Sequence, residues 1–483
     1  MALARDEYRL LIGGEWVRTT GSYEIVNPAT EKVIGQAPEA SVLQANDAAA
    51  AARRAQPAWA ALPMAARCAL IARAGEALEA RLPEFTELVQ AETGATLATA
   101  ERLQIGVAAD RFRRYSRPEN VNHALEPQIT DATPLGAGSV LGGQVLRQPV
   151  GVVACITPYN FPLTSLAGKI APALAMGNSV VMKPAPQDPL AIFEMAEILR
   201  DVGFPPGVVN LVSGSGPEVG AALVASPDVD MVSFTGSTAV GVRITEQGAK
   251  TMKRLLLELG GKGPAIVFDD ADLDAATAAV GSTFAFHAGQ VCTAPTRLIA
   301  QRGIYERLVE RLARFAGALK LGDPLEPDTV VGPLISRLQR DRVEAFIRRG
   351  REEGAELVAG GKPVDRPGWY VAPCLMLGRN DGYAAREEAF GPVVVAMPFD
   401  DEDEAVALAN GSEYGLFGYV YTKDTARGMR VAQRLRTGCV GVNTLQPHHE
   451  APFGGFKMSG VGRDRGVFGL HAYAELQSIT WPG

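Results

Sequence analysis

Three side chains in this 483-residue sequence could together carry covalent chemistry: a cysteine, a glutamate and an asparagine. Cys292 follows a small-residue turn at the end of an apolar segment, between Gly289 and Pro295. A thiol becomes a strong nucleophile only where a helix end, a cation or a nearby base favours the thiolate. Because unpaired cysteines are more often inert core residues, the assignment depends on partners elsewhere in the chain.

Glu258 and Asn160 are the candidate partners. Glu258 stands among leucines at residues 255–259, where burial would raise the pKa of its carboxyl and make it a useful general base. The alternative is a strand-end glutamate that points to water. Asn160 lies in a loop fixed by Pro158 and Pro162, where its amide could stabilise an oxyanion, although asparagines in such loops more often cap or turn.

The elements that must position these residues are predicted to be alternating strands and helices. Buried strands are indicated by apolar runs at residues 150–156, 179–183, 207–212 and 231–234, with Pro149 at the start of the first. This rhythm predicts βαβ units and a parallel sheet covered by helices on both faces. Such a sheet binds ligands beyond the carboxyl ends of its strands.

Those carboxyl ends carry residues suited to a nucleotide. Gly236 permits close approach, and Ser237 begins a helix whose free N–H groups favour an anion. Lys183 could place a donor on a ribose or phosphate, or could be a solvated strand end. Residues 214–220 only approximate a dinucleotide fingerprint and are as readily a turn into a helix capped by Ser215.

The first third of the chain reads as a hairpin, then helices, then a glycine-rich excursion. Two glycines at 13 and 14 predict a tight turn between strands at residues 8–12 and 15–18. Apolar spacing predicts helices at 41–55, with Ser41 as N-cap, at 64–80 and at 82–114. Residues 118–147 predict a two-stranded arm, which could not bury its own face and so suggests a subunit contact.

Composition excludes several classes of protein. The net charge of −7 is spread without a basic block, which argues against nucleic acid or an anionic membrane as partner. The sequence has no early apolar segment that would predict export. It has no run of about 18 apolar residues that would predict a membrane span. Five cysteines without paired spacing favour a reducing cytoplasm over disulfides or a zinc site, and adjacent His448 and His449 do not suggest a metal.

Seven motifs, in the right order along the chain, resemble the aldehyde dehydrogenase superfamily. They are Pro158-Tyr159-Asn160-Phe161-Pro162, Val180-Val181-Met182-Lys183-Pro184, Phe234-Thr235-Gly236-Ser237, Leu257-Glu258-Leu259-Gly260-Gly261-Lys262, Gly289-Gln290-Val291-Cys292, Glu387-Glu388-Ala389-Phe390-Gly391-Pro392 and Pro452-Phe453-Gly454-Gly455-Phe456-Lys457-Met458-Ser459-Gly460. The resemblance implies that Cys292 attacks an aldehyde carbon while Asn160 and the Cys292 backbone N–H hold the oxyanion. Glu258 would activate the water that hydrolyses the thioester, and Lys169 and Asp464 would relay protons and position the base.

The resemblance also implies a dinucleotide site, with NAD as the first choice of cofactor and NADP as the alternative. Glu388 and Phe390 would contact the nicotinamide ribose and ring, and Lys183, Gly236 and Ser237 the adenosine ribose and pyrophosphate. The full expected set is Ile156, Thr157, Pro158, Tyr159, Lys183, Ala185, Pro186, Gly216, Gly220, Phe234, Thr235, Gly236, Ser237, Val240, Leu259, Gly260, Glu388 and Phe390.

The implied fold class is α/β, with a Rossmann-like cofactor domain, an α/β catalytic domain and a small β oligomerisation arm. Residues 1–127 and 147–260 would form the cofactor domain and 261–440 the catalytic domain. The arm would comprise 128–146 and 470–483, and 441–469 would return to the cofactor domain and active-site cleft. Family members are usually dimers or tetramers, so a homodimer or homotetramer is expected.

Three departures from the family pattern bear on specificity. Pro186 stands where many NAD-preferring relatives carry a glutamate, so a 2′-phosphate is not repelled there. Tyr159 occupies a position where tryptophan is common, which reshapes the aldehyde pocket. Asp464 is one methylene shorter than the usual glutamate, which weakens its assignment as a relay.

Two rival functions remain open at this point. A CoA-acylating relative would also use Cys292 but would generally lack a glutamate at 258, and a structural use of the fold would tolerate loss of the catalytic residues. The substrate pocket is expected to include Tyr159, Val291, Thr293 and Phe453, with His287 and Leu445 as further candidates. The nearest arginine in sequence to Cys292 is Arg297, which argues against a dicarboxylic semialdehyde as substrate.

Overall fold

The computed structural model describes residues 7–134 and 136–482, so residues 1–6 of the expected cofactor domain, 135 of the expected arm and 483 lie outside the described part. The described residues form twenty strands, numbered along the chain. They are β1 Leu10–Ile12, β2 Glu15–Val17, β3 Gly21–Val26, β4 Val33–Glu39, β5 His123–Thr130, β6 Ser139–Pro149, β7 Val152–Ile156, β8 Ser179–Lys183, β9 Val209–Leu211, β10 Met231–Thr235, β11 Arg254–Glu258, β12 Pro264–Val267, β13 Arg297–Gln301, β14 Glu356–Ala359, β15 Cys374–Leu377, β16 Val393–Phe399, β17 Phe417–Tyr421, β18 Cys439–Val442, β19 Gly460–Val461 and β20 Ala474–Pro482.

Fifteen α-helices lie in the same described ranges. They are α1 Val42–Ala60, α2 Met64–Ala80, α3 Leu82–Thr93, α4 Val107–Tyr115, α5 Pro162–Met176, α6 Leu190–Asp201, α7 Glu218–Ala225, α8 Thr238–Gly248, α9 Leu273–Ala285, α10 Arg302–Ala318, α11 Arg337–Glu352, α12 Tyr383–Arg386, α13 Glu402–Asn410, α14 Thr425–Arg434 and α15 Gly466–His471. A π-helix spans Thr99–Gly106, and short 3₁₀ turns span Ala249–Thr251, Phe286–Gly289 and Lys457–Ser459.

The predicted parallel sheet is confirmed. Eight strands lie in the order β19-β11-β10-β7-β8-β9-β1-β2, and the five from β11 to β9 run parallel. Register pairs Phe234 with Ile156, Ile156 with Lys183, and Thr235 with Glu258. Because paired residues of parallel strands lie at the same height, the ends of β7, β8, β10 and β11 meet at one edge of the sheet.

Strand β7 shows why this sheet is covered on both faces. Val153 and Cys155 pack into the core formed with α5 and α6, while Val152, Ala154 and Ile156 pack into the core formed with the alanines of α1. All five residues are buried, which explains a continuous apolar run rather than an alternating one. The sheet is therefore a rigid support for the loops at its carboxyl edge.

A second sheet has the order β14-β15-β16-β13-β12-β17-β18 and is parallel except for β14. Its two faces form separate cores, with Ile266 of β12 on one side and Ala265 and Val267 on the other. The chain then leaves β18 and pairs β19 antiparallel with β11, placing Gly460 opposite Glu258. The two sheets are thus tied together beside Glu258.

In the N-terminal part, the predicted turn and the predicted helix cap are confirmed, because each depends only on residues close together in sequence. Gly13 and Gly14 have φ of 63° and 90° in the β1–β2 turn. Ser41 caps α1 in a capping box with Gln44, as predicted for the N-cap, and the helix continues through Pro57.

Three local predictions were wrong. The helix predicted over 82–114 is interrupted, because Gly94 takes the left-handed conformation that ends α3. Pro149 ends β6 instead of starting β7, and a turn at Gly151, with φ of 131°, separates the two strands. Ser215 does not cap α7, whose N-cap is Pro217, and its N–H donates to the Glu39 carboxylate at 3.0 Å.

The arm contains the two strands predicted within residues 118–147, and a third strand from the C-terminal segment that was also expected to belong to it. Strand β20 pairs antiparallel with β6, which pairs with β5, in the order β20-β6-β5. The sheet leaves large apolar side chains in water, including Ile129 at 82% and Leu476 at 66% exposure. Such a surface is typical of a subunit contact, so the arm remains the expected site of assembly.

Three further features of the described residues concern membrane-spanning helices, metal sites and disulfides. Within them, no helix combines the length and apolar character needed to cross a membrane, and no cluster of three or more His, Cys, Asp or Glu side chains is arranged to hold a metal ion. The five cysteines are free thiols.

We predict that replacing both Ile129 and Leu476 by Lys reduces the oligomer to smaller species, because buried charge would oppose closure of the arm against another subunit. Sedimentation velocity at matched concentrations measures the change. Met252→Lys, at a residue 87% exposed outside the arm, is the control and keeps the wild-type assembly. An unchanged sedimentation coefficient in the double variant, with a wild-type circular dichroism spectrum, would contradict the assignment.

Candidate active site

A cleft of about 1070 Å³ opens at the carboxyl edge of the first sheet and reaches Cys292. It brings together nearly all the residues predicted for catalysis, cofactor and substrate. Those that line it are Ile156, Thr157, Pro158, Tyr159, Asn160, Lys169, Lys183, Ala185, Pro186, Gly216, Gly220, Phe234, Thr235, Gly236, Ser237, Val240, Glu258, Leu259, Gly260, Cys292, Glu388, Phe390, Phe453 and Asp464. Val291 and Thr293 flank Cys292 outside the cleft lining, and Thr293 instead accepts a hydrogen bond from Tyr419 at its carbonyl, at 2.7 Å.

Cys292 lies on a turn held by close backbone contacts. His287 and Ala288, just before it, have φ of 49° and 52°, and Gly289 has φ of 75°. A Cβ on Gly289 would lie 2.1 Å from the Gly391 carbonyl, and one on Gly261 would lie 2.4 Å from the Cys292 carbonyl. Only glycine allows these approaches, so the turn is fixed against both neighbouring segments.

The Cys292 thiol is protonated at neutral pH. Burial raises its pKa to about 12, with further contributions from the negative charges of Glu388 and Glu258, and the positive charge of Arg465 opposes the change. The expected cation near the thiol is therefore present, but desolvation outweighs it. A base must accept the proton before the sulfur can attack.

Glu258 meets that need. It ends β11 and is buried, and within the described residues neither carboxyl oxygen takes part in a hydrogen bond. Burial, followed by the charge of Asp464, raises its pKa well above the ordinary 4.5, against the opposing charges of Lys169, Arg463 and Arg465. The raised pKa agrees with the expectation for a carboxyl among leucines.

Asn160 is tied to the nucleophile's turn. Its Nδ2 donates to the Gln290 carbonyl at 2.8 Å, two residues before Cys292, and its own carbonyl accepts from Gln104 Nε2 at 2.8 Å. The side chain is buried, and one amide hydrogen remains beyond the bond to Gln290. The amide therefore stands as a donor beside Cys292.

Lys169 belongs to a buried polar chain whose other members have weak sequence signals. Its Nζ donates to Ser233 Oγ at 3.2 Å, which lies 2.9 Å from Tyr473 Oη. Burial lowers the pKa of Lys169, and the charges of Asp464, Cys155 and Glu258 oppose that shift. In the sequence, Ser233 stands out as the hydroxyl residue within the apolar run at 231–234, but nothing local marks Tyr473.

The far end of the cleft has the chemistry of a dinucleotide site. Burial lowers the pKa of Lys183 to about 8, and its side chain lies beside Gly220, where a Cβ would be 3.9 Å from it. Ser237 is the N-cap of α8, and its side chain makes no capping bond to the described part of the helix. The first amides of α8 can therefore serve an anionic ligand.

The middle of the cleft holds Glu388 and Phe390. Burial raises the pKa of Glu388 to about 7, while its Oε1 accepts the Gly261 N–H at 2.9 Å. Phe390 has φ of 48° and its ring meets that of Tyr159 edge-on, with centroids 5.8 Å apart. A buried acceptor and an aromatic pair are suited to a ribose and a flat ring, so the residues present fit the expected cofactor.

The argument that no arginine lies near the nucleophile was wrong. Arg297 is occupied elsewhere, donating to the carbonyls of Lys262, Leu408 and Ala409 and to Asn380. Five arginines distant in sequence from Cys292 line the cleft instead, and Arg465 is the one whose charge acts on the Cys292 thiol, with Arg111 close to its neighbour Asp464. Arg465 directly follows Asp464, so its position was visible in the sequence although its proximity to the thiol was not.

Comparisons with known proteins agree with this geometry. A family model described as "Aldehyde dehydrogenase family" matches residues 16–479. The chain is 39% identical over 483 residues to a 3-succinoylsemialdehyde-pyridine dehydrogenase from a Pseudomonas species, and 38% identical over 481 residues to a geranial dehydrogenase from Castellaniella defragrans, with 98% of each chain covered in both cases. A crystal structure of betaine aldehyde dehydrogenase from Staphylococcus aureus in complex with NAD⁺ matches with a TM-score of 0.92 and 35% identity, covering 98% of this chain and 94% of that one.

The names of these relatives refer to chemically different aldehydes. The similarity therefore identifies the reaction class, and the substrate must be inferred from the pocket. The family match covers nearly the whole chain, and the two sheets and the cleft between them have the expected architecture. The chain belongs to the aldehyde dehydrogenase family and is an oxidoreductase that acts on aldehydes.

Proposed function

We propose that this enzyme oxidises an aldehyde to a carboxylic acid through a thioester on Cys292 that water hydrolyses. One observation carries the proposal: a half-buried thiol, an amide donor and a buried carboxyl without hydrogen bonds from the described residues line the same cleft. Each supplies one element of acyl chemistry, namely the nucleophile, the oxyanion donor and the base.

The first half of the reaction requires a proton to leave Cys292. Glu258 is the buried base whose charge is already coupled to the thiol, and Arg465 stabilises the resulting thiolate. The sulfur then attacks the aldehyde carbon. Asn160 Nδ2 and the Cys292 N–H would donate to the oxygen as it gains negative charge, at a point where water is excluded.

The cofactor would be NAD, with NADP as the alternative. Nicotinamide, when bound, supplies the acceptor for the hydride that leaves the tetrahedral carbon. Glu388 and Phe390 would hold its ribose and ring, and Lys183 with the amides that follow Ser237 would hold the adenosine ribose and the pyrophosphate. A relative solved with NAD⁺ supports this choice.

The second half requires a base that acts after oxidation. The proton taken from Cys292 must first leave Glu258 for solvent, and Lys169 with Asp464 would relay it. The Glu258 carboxylate would then take a proton from water as the water attacks the thioester. A buried glutamate at this position favours hydrolysis over transfer to CoA. Because burial raises its pKa, the ionised form of Glu258 is a stronger base than an ordinary carboxylate.

We predict that Cys292→Ser lowers aldehyde oxidation at least about a thousandfold, since an alkoxide is far harder to form than a thiolate. Cofactor affinity, measured by fluorescence quenching, should stay near wild type. The matched control is Cys439→Ser, a half-buried thiol 3.6 Å from the Pro452 carbonyl, which should keep most activity. Turnover in Cys292→Ser above that limit would contradict the nucleophile assignment.

Glu258→Gln should separate the two half-reactions. The variant keeps side-chain size but loses the base for water, so it should release about one equivalent of reduced cofactor per site and then stall. Intact-protein mass spectrometry should find the acyl group on Cys292. If the burst disappears together with steady-state turnover, Glu258 acts in acylation or folding, and if CoA restores turnover, the enzyme is an acyl-CoA-forming relative.

We predict that position 186 discriminates only weakly between NAD and NADP. Pro186 can neither accept a hydrogen bond from a 2′-hydroxyl nor repel a 2′-phosphate, and Lys183 can serve either cofactor. We expect kcat/KM to favour NAD by less than about a hundredfold, or roughly 3 kcal/mol. Pro186→Glu should suppress NADP use selectively, while Pro186→Ala, which changes the backbone without adding charge, should not. A wild type that rejects NADP by more than about ten-thousandfold would place the determinant elsewhere.

A further inference from the structure

Two arginines meet beside the nucleophile without the partners that arginines have elsewhere in this protein. Arg465 stacks its guanidinium on the Phe453 ring, with 4.2 Å between Cζ and the ring centroid. Among the described residues its guanidinium takes part in no hydrogen bond, and no carboxylate lies within 4.0 Å of it. Burial lowers its pKa, so the charge is held in a partly dry position.

Arg111 approaches the same region from another helix. It projects from α4 toward Gly168 of α5, where a Cβ would lie 1.5 Å from its Nη1. The guanidinium therefore occupies the space of the side chain that Gly168 lacks, one residue before Lys169. Its contact with an acid is long, 3.7 Å from Nη1 to Asp464 Oδ2, and within the described ranges it makes no hydrogen bond.

Other buried or half-buried arginines show what is missing. Arg297 makes four hydrogen bonds and Arg67 three, all with side chains or carbonyls of the described chain. Arg463, adjacent to the site, donates to the carbonyls of Gly455 and Gly462. The half-buried Arg427 also lacks a guanidinium hydrogen bond to a described acceptor, but it lies within 4.0 Å of three carboxylates. Apart from the long contact of Arg111 to Asp464, Arg111 and Arg465 have no such partner in the described part of the chain, so their donors are open to a group that is not part of the protein.

The charges around them favour an anion. Only Asp464 among the described carboxylates comes within 4.0 Å of Arg111, and none comes that close to Arg465. Lys169 adds a further basic group to the same cleft. A planar carboxylate would match the fork of donors on either guanidinium, and the rings of Phe453 and Tyr159 line the cleft around the connecting carbon chain.

We propose that Arg111 and Arg465 bind a carboxylate at the far end of the substrate, so that the preferred substrates are aldehydes that carry a negative charge, such as ω-oxo acids. The proposal rests on the proposed function in that Cys292 receives the aldehyde end. It replaces the expectation, drawn from the absence of a neighbouring arginine in sequence, that such semialdehydes are disfavoured.

The test compares substrates that differ only in charge. Initial rates are measured with 4-oxobutanoate, 5-oxopentanoate and 6-oxohexanoate, and with the methyl ester of each. We expect the best acid to exceed its own ester in kcat/KM by at least about 100-fold, because a desolvated arginine–carboxylate pair contributes on that scale. Equal values for all three acids and their esters would overturn the proposal without using any variant.

Arg111→Gln and Arg465→Gln then locate the effect. Arg111→Gln should lower kcat/KM for the acid by about 30-fold or more, chiefly through KM, and change the ester by less than about fivefold. Arg465→Gln should lower both substrates because it also removes a charge beside the thiolate, but the acid by at least about tenfold more than the ester. Arg349→Gln is the control, since this cleft arginine already pairs with Glu353 and stacks on Tyr383, and it should leave the acid-to-ester ratio unchanged. Equal losses for acid and ester in Arg465→Gln would mean that Arg465 serves only the thiolate.

Calorimetry of the corresponding dicarboxylate, for example succinate, against the wild type and both variants gives a readout without turnover. We expect binding to the wild type that weakens about tenfold or more in each variant, while the uncharged diamide succinamide binds weakly to all three. Unchanged succinate binding in both variants would overturn the proposal. Failure of the proposed function is distinguishable, because neither acids nor esters would then be oxidised.

Discussion

The buried carboxyl of Glu258, free of hydrogen bonds from the described residues, is the feature on which the rest of the site depends. An ionised carboxylate in that position would be costly, so the neutral form is favoured at rest. The surrounding fold keeps it there: Thr235 and Gly460 flank it in the sheet, and Gly454 passes so close that a Cβ would lie 2.8 Å from Oε1. The same constraint couples it to Cys292: the charge of Glu258 raises the pKa of the thiol, and its own raised pKa makes the ionised Glu258 carboxylate a stronger base toward the thiol than an ordinary carboxylate.

Four of the eight described non-glycine residues with positive φ lie in the cleft or in the turn before the nucleophile. Residues other than glycine rarely take positive φ, yet His287, Ala288, Phe390 and Arg465 all do, and each lies near the nucleophile or lines the cleft. Each such residue costs on the order of 1 kcal/mol or more, and the cost is sustained because two packed sheets fix the segments on either side. These strained residues thus position the nucleophile, the aromatic pair and the guanidinium that has no hydrogen bond among the described residues.

Much of this could be predicted because the signals are local. The strands of the first sheet are contiguous apolar runs, and their carboxyl ends follow from parallel topology, which is why residues as distant as Lys183 and Phe234 were expected in one cleft. What failed depends on contacts between distant segments. Ser215 was one candidate for a helix cap, but its N–H is held by Glu39, 176 positions away. Arg111 reaches the site only because Gly168 leaves room for it. The exact domain boundaries and the roles of the individual site residues remain predictions.

The measurement that tests this account most directly is the ionisation of Glu258 in the resting enzyme. Infrared difference spectra between wild type and Glu258→Gln, recorded as a function of pH, isolate the carbonyl stretch of that one carboxyl group. The account predicts a protonated carboxyl that persists to neutral pH and ionises well above the ordinary value of 4.5. A Glu258 that is already ionised at pH near 5, roughly its ordinary range, would contradict it.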